Sequence, residues 1–224
     1  MIKNISNLGD AALYCDFGTE VNKQINSEVI KYFNTIKEKG IEGINNLTPS
    51  YNKLIISYDL RVTNFKEIKE KIEKLNVEDI SKITNKNLKV PVCCDSSFSL
   101  DMKRLESKLN LTKEKILENF FNKKFFCYMT GFIAGMPFLG DLDKNMRVPR
   151  LETPRVKVPK GSVGLTEQFA NIYTFESPGG WNIIGNTPLE VFDSSKEKDP
   201  NLINPGDTVK FKQISLEEYK NYNG

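Results

Sequence analysis

Arg150 and Arg155 each follow a proline directly, in Pro149-Arg150 and Pro154-Arg155. A guanidinium is a rigid fork of donors that matches a carboxylate or a phosphate, so these two are the natural anion contacts among the basic residues. The alternative is a pair of surface arginines in extended segments, making rim salt bridges worth little. Further on, Ser177-Pro178-Gly179-Gly180-Trp181 combines glycines that let a backbone approach a ligand with a large flat indole. On the residues alone the readier reading is a tight turn whose tryptophan anchors a core. Ser177 has no histidine partner and no GxSxG context, which argues against a nucleophilic serine. Gly131, Gly135 and Gly140 punctuate the string Gly131-Phe132-Ile133-Ala134-Gly135-Met136-Pro137-Phe138-Leu139-Gly140. Their spacing is neither GxGxxG nor GxxxxGK followed by Ser or Thr, a weak phosphate signal. Asp141 and Asp143 follow, with nothing but proximity to pair them as acid and base, and read as solvated loop residues.

The chain of 224 residues contains no histidine. Histidine general bases, histidine-activated nucleophiles and histidine metal ligands are therefore excluded. Chemistry must use carboxylates, Lys, Arg, Tyr, Ser or backbone groups. The 32 basic and 29 acidic residues give a net charge of +3 and are largely interspersed, so the field has no strong single sign and nucleic acid is not implied as a partner. Cys15, Cys93, Cys94 and Cys127 form no CxxC pair and read as reduced, buried thiols. No stretch approaches the roughly 20 apolar residues that span a bilayer, and the start lacks a basic segment followed by a long apolar run. A cytoplasmic chain without membrane contact is the expectation.

Two halves of different texture must position these residues. In the first, Ala11 to Phe17 reads as a strand, and Val21, Ile25, Val29, Phe33 and Ile36 then recur at helical spacing from Thr19 to a stop at Gly40. The runs Ile41 to Leu47 and Lys53 to Tyr58, separated by Thr48-Pro49-Ser50, predict a hairpin. Asn64 caps a second helix, with Glu67 three residues on and Phe65, Ile68, Ile72 and Leu75 as its apolar stripe. A strand from Leu88 to Cys94 completes the order βαββαβ, the pattern of a ferredoxin-like sheet with its helices on one face. That assigns residues 1–94 to an α+β domain.

Residues 95–123 read as a helical connector, with helices from Leu100 to Leu109 and from Lys113 to Phe121 after Ser99 and Thr112. From 124 to 224 short runs such as KFFCYMTGF, RVKVP, NIYTFE and TVKFKQI are broken by Gly and Pro turns, which predicts a barrel or sandwich. No fixed-period repeat is present, and the stretch from Ser194 to Asn201 reads as a solvated loop.

Three strings taken in order resemble one family. They are Gly131 to Gly140; Pro149-Arg150 and Pro154-Arg155 with Val158-Pro159-Lys160-Gly161-Ser162-Val163-Gly164; and Ser177 to Trp181 leading to Ile184-Gly185-Asn186-Thr187-Pro188. Together they resemble the family of the B subunits of 5-oxoprolinase and the kinase A inhibitor protein, also called allophanate hydrolase subunit 1, a carboxyltransferase-domain family. The resemblance continues more weakly through Gly9-Asp10, Thr48 to Tyr51 and Val90 to Val92.

It implies an α+β fold: a ferredoxin-like α/β-sandwich followed by a cyclophilin-like β-barrel. It further implies ATP-dependent opening of the 5-oxoproline lactam to L-glutamate, with two partners, the homologous carboxyltransferase-like C subunit of 5-oxoprolinase and its A subunit. Mg-ATP would be used at the level of the complex, with no tightly bound cofactor in this chain. Arg150 and Arg155 are then the anion contacts, and Gly131, Phe132, Gly135, Pro137, Phe138, Ser177, Pro178, Gly179, Gly180 and Trp181 the substrate-binding candidates. Two other roles occur among relatives: a docking module that inhibits a sensor histidine kinase, and an accessory subunit of urea carboxylase or allophanate hydrolysis.

Overall fold

A computed structural model describes residues 1–77 and 85–222, and the chain divides into two compact units, Met1–Thr84 and Asn85–Gly224. In the first unit the chain runs β1 (Asn4–Asn7), β2 (Ala12–Asp16), α1 (Lys23–Lys39), β3 (Ile44–Pro49), β4 (Lys53–Tyr58) and α2 (Phe65–Glu73). The four strands form one antiparallel sheet in the order β1-β2-β4-β3. Helix α1 begins at Asn22 rather than near Thr19, because the Asn22 side chain accepts from the Ile25 N–H at 3.0 Å; it ends at Gly40, whose φ of 54° suits a residue without Cβ. Asn64 caps α2 as predicted, accepting from Glu67 N–H at 3.1 Å. Leu13, Cys15, Leu54 and Ile56 point inward from the two central strands and meet Val29, Ile36, Ile68 and Ile72 of the helices. Each such aliphatic side chain contributes roughly 1.5–3 kcal/mol by leaving water.

The expected ferredoxin-like arrangement needs a correction. Its last strand was to come from Leu88 to Cys94, but the sheet position beside β2 is filled by β1, a short N-terminal strand with little apolar signal. Strand β5 (Asn87–Cys93) belongs to the second unit, where Val90 and Val92 are fully buried. It pairs in parallel with a strand near the C-terminus over seven residues, from Asn87 opposite Thr208 to Cys93 opposite Ile214. A strand buried along most of its length fits the interior of a closed barrel better than the edge of an open sheet.

The second unit continues with α3 (Met102–Leu109), α4 (Lys113–Asn122), β6 (Lys124–Thr130), β7 (Pro137–Gly140), β8 (Arg155–Val158), β9 (Ser162–Thr166), β10 (Phe169–Ile172), β11 (Ser177–Gly179), β12 (Asn182–Asn186), β13 (Thr208–Ile214) and α5 (Leu216–Lys220). Seven of its strands close a barrel in the order β10-β7-β6-β13-β5-β12-β9, as the short-strand texture predicted. The helices from 95–123 pack on it: Met102 and Leu105 of α3 and Ile116, Leu117 and Phe120 of α4 join Val90, Val92, Phe125, Val209 and Phe211 in one core. Phe120 stacks on Phe211 at 4.7 Å. Strands β8 and β11 stand outside the barrel order as a two-stranded antiparallel ribbon, and this ribbon carries Arg155 and the Ser177 to Gly179 segment.

Candidate functional site

The ribbon has an uneven register. Ser177 lies opposite Val158 and Gly179 opposite Arg155, so two steps on β11 match three on β8. This is a bulge on β8, and it puts Arg155 and Val158 on one face although they are three positions apart. Val158 shows which face that is, since it packs in a buried cluster with Met136, Tyr173, Trp181 and Ile183.

Gly179, directly across from Arg155, leaves a vacancy beside it that another side chain fills. A Cβ on Gly179 would lie 2.1 Å from the Tyr173 hydroxyl oxygen. The Tyr173 hydroxyl thus occupies the place next to Arg155 where a side chain at 179 would stand. Gly180 serves Arg150 in a similar way: a Cβ there would sit 3.4 Å from the Arg150 Nε and Nη2. The segment carrying Arg150 is tied down by Leu151 N–H to Gly180 O at 2.8 Å, by Asn182 Nδ2 to Pro149 O at 3.1 Å and by Arg104 Nη2 to Arg150 O at 3.4 Å. Both glycines are buried, whereas Arg150 and Pro178 are exposed.

Arg155 is held from behind. Its Nη2 donates to Asp101 Oδ1 at 2.5 Å, while Asp101 Oδ2 accepts from Ile183 N–H at 2.7 Å. The Asp101 side chain is 6% exposed and that of Arg155 28%. Burying a carboxylate is costly without such partners, and here both oxygens have one. The other side of the guanidinium differs. Arg155 Nη1, the Tyr173 hydroxyl and Ser177 Oγ are all buried, and none has a hydrogen-bond partner among the described residues. Native interiors leave few such groups, because each unpaired one costs about 1–3 kcal/mol. Burial raises the Tyr173 pKa, and the Asn171 amide, the Trp181 backbone and the charges of Arg150 and Arg155 pull it back without closing a hydrogen bond to the hydroxyl.

The glycine-rich string from Gly131 to Gly140 is used otherwise. Gly131 N–H donates to Met136 O at 3.0 Å and Met136 N–H to Ile133 O at 3.2 Å, which closes the turn on itself at its two ends. Gly135, at φ +69°, packs its bare face against the Phe192 ring, and Thr174 Oγ1 donates to Ala134 O at 2.7 Å. Phe132 projects outward, 71% exposed. Pro137 is buried as the first residue of β7, opposite Thr130. Phe138 and Trp181 link the two glycine-rich strings, meeting edge to face at 5.5 Å. Of the candidate residues, the fold therefore gathers Arg150, Arg155, Ser177, Gly179, Gly180 and Trp181 at the ribbon. Gly131, Phe132 and Gly135 lie in the Gly131 to Met136 turn, whose Ile133 and Met136 pack in the same cluster as Val158, Tyr173 and Trp181.

Asp141 is no solvated loop residue: it accepts from the Tyr128 hydroxyl at 2.9 Å and from Gln168 Nε2 at 3.2 Å, and burial together with this carboxylate pushes the Tyr128 pKa up. Asp143 pairs with Lys123. The four thiols are buried as expected, and burial pushes those of Cys15 and Cys94 up to about 12.

Two residues of the site escaped the sequence reading. Tyr173 sits in a strand-like run where its ring reads simply as core, and Asp101 reads as the start of a helix. Nothing local points from Asp101 to a cation 54 positions away.

Known proteins align with this architecture. Residues 3–203 match the family described as carboxyltransferase domain, subdomain C and D. The B subunit of 5-oxoprolinase from Bacillus subtilis (strain 168) is 31% identical over 230 residues, covering 97% of this chain and 95% of the relative. The protein of the same name from Haemophilus influenzae is also 31% identical, covering 93% and 96%. Among solved structures, TTHA0988 superposes with a TM-score of 0.82 at 27% identity over 91% of this chain, which spans only 40% of that longer one. By its near-complete match, the chain belongs to the carboxyltransferase domain family, subdomains C and D.

Proposed function

We propose that this chain is the B subunit of an ATP-dependent 5-oxoprolinase complex, which hydrolyses 5-oxoproline to L-glutamate together with the A and C subunits. The observation that carries the reading is the likeness over nearly the full length to two proteins named as B subunits of 5-oxoprolinase. The barrel is then of the cyclophilin-like kind, and the chain acts in the cytoplasm. Among the described residues no helix is long and apolar enough to cross a membrane.

The chemistry explains the need for ATP and for other chains. A lactam carbonyl is a poor electrophile. Transfer of the γ-phosphoryl group from ATP to its oxygen gives ADP and a phosphorylated imidate; one water adds to the carbon and the C–N bond opens to the free amine and an acyl phosphate, and a second water then releases phosphate and leaves the carboxylate of glutamate. Such a path develops negative charge on oxygen, which arginines and fixed N–H donors stabilise. In this chain Arg150, Arg155 and the Ser177 to Trp181 segment are the groups suited to hold an anionic substrate while other donors of the complex meet that charge. The Gly131 to Met136 turn is a poor match to a phosphate cradle, since its glycine spacing is that of neither a GxGxxG nor a GxxxxGK loop. Mg-ATP is accordingly assigned to the assembled complex and not to this turn.

The test is glutamate release from 5-oxoproline, with and without ATP, by this chain alone and then mixed with its A and C partners. Release only in the full, ATP-supplied mixture is expected. A stable assembly of all three proteins that releases no glutamate overturns the reading.

A further inference from the structure

We propose that Arg155 Nη1, the Tyr173 hydroxyl and Ser177 Oγ form a subsite for one carboxylate group of a small substrate. This rests on reading the β8–β11 ribbon as the substrate-facing part of the chain, and it identifies Tyr173 as a substrate-binding residue there.

The first support is the donor inventory. The buried serine and tyrosine hydroxyls and the buried Nη1 of the guanidinium each carry at least one hydrogen that wants an acceptor, and these three atoms lack one among the described residues. They occur together: Gly179 is opposite Arg155, the Tyr173 hydroxyl fills the bare face of Gly179, and Ser177 is two residues along the same strand. A carboxylate, with two oxygens and about four acceptor sites, can satisfy all three.

The second support is charge. Asp101 already offsets much of the Arg155 charge and takes up its Nη2, so only one guanidinium nitrogen faces inward, beside two neutral hydroxyls. A nearby cation, Arg150, is exposed at the rim, and the Arg104 guanidinium is committed to Asn182 Oδ1 at 2.9 Å and to Arg150 O. A monoanion matches this arrangement. A phosphate dianion would bring into a mostly buried place a second charge that no further cation there offsets.

The third support is the absence of a Cβ at 179. With the Tyr173 oxygen 2.1 Å from that position, any side chain there would displace the hydroxyl from Arg155. Glycine at 179 keeps the phenol and the guanidinium side by side.

The chain carries its own reporter. Trp181 is its only tryptophan and shares a buried cluster with Tyr173. Trp181 emission of the full chain is to be titrated with L-5-oxoproline, with 2-pyrrolidinone, which is the same ring without the carboxylate, and with inorganic phosphate. A saturable change with 5-oxoproline, and a response at least tenfold weaker with both other probes, is expected. Tyr173→Phe should weaken 5-oxoproline about tenfold. Arg155→Lys, which keeps a cation for Asp101 but loses Nη1, should weaken it at least as much, and both variants should keep a wild-type circular dichroism spectrum.

The proposal is overturned if wild type does not respond to 5-oxoproline, if 2-pyrrolidinone or phosphate binds as tightly, or if Tyr173→Phe titrates like wild type. The reaction and the subsite fail separately. Carboxylate-dependent binding with no glutamate formed in any mixture sinks the oxoprolinase reading alone. Glutamate formation with an unchanged KM for 5-oxoproline in Tyr173→Phe sinks the subsite alone.

Discussion

Each unit of the molecule contains an aspartate bonded to one cation and one backbone N–H, and the two clusters end differently. In the first, Asp16 Oδ1 accepts from Lys53 Nζ at 2.6 Å and from Gly18 N–H at 2.7 Å, and Lys53 also donates to Gly18 O at 2.5 Å. In the second, Asp101 accepts from Arg155 and Ile183 N–H, but Arg155 keeps a buried Nη1 with no acceptor among the described residues. The ammonium of Lys53 turns its donors back onto the fold, and the cluster is a clip between neighbouring strands. The planar fork of Arg155 is anchored on one side and offered on the other. A salt bridge alone therefore says little about role; what distinguishes a site is a donor that the fold positions and leaves unused.

That difference predicts unequal costs. Asp101→Ala strips a partly buried cation of its partner and removes the acceptor of the Ile183 N–H, so it should destabilise by about 3 kcal/mol, near the low end for breaking a buried pair because Arg155 keeps some exposure. Urea unfolding followed by circular dichroism measures this. A loss below about 1 kcal/mol would show that the Asp101 cluster is no more than a surface clip and would remove the contrast with Asp16.

Gly179→Ala sharpens the comparison from the other side. The added methyl would meet the Tyr173 hydroxyl at 2.1 Å, and that ring is packed in a core with 1% exposure, so relief requires the ribbon to shift. Overpacking of this kind costs about 2 kcal/mol. The same titration of Trp181 with 5-oxoproline should show binding lost even where the variant remains folded. Retained binding would mean that Tyr173 need not stand beside Arg155.

Much of this was legible in the sequence, for reasons that are local. Asn64, Thr112 and Gly40 act within a few residues of themselves, and the barrel followed from short runs between Gly and Pro turns. Gly179, Gly180 and Trp181 stood out because their types are unusual together. What stayed hidden depends on long-range pairing. The apolar run from Leu88 to Cys94 fits any two-sided burial, and only its seven-residue match with β13 places it in the barrel. Asp101 finds Arg155 across 54 residues and the Ile183 N–H across 82, which no local pattern encodes.

The smallest effect belongs to Asp16→Asn, and its pH dependence separates a clip from a site. The hydrogen bond from Lys53, and then that from the Gly18 N–H, hold the Asp16 carboxyl below its ordinary value of 3.8 in the folded chain. A depressed folded pKa means the unfolded chain binds the proton more readily, so the contribution is fully present above pH 3.8 and is lost as pH falls through the folded value. The side chains of Asp16 and Lys53 are 34% and 20% exposed, which limits the contribution to about 0.5–1 kcal/mol after screening. Asp16→Asn should therefore cost that amount in urea unfolding at about pH 7 and progressively less as the pH falls below 3.8. Asp59, beyond the far end of β4 and held down to about 2 mainly by its Arg61 hydrogen bonds, titrates alike in both proteins and cancels in the difference. A cost at neutral pH as large as that of Asp101→Ala would break the comparison, because an aspartate whose lysine partner turns back onto the fold would then matter as much as one that positions the partly buried Arg155.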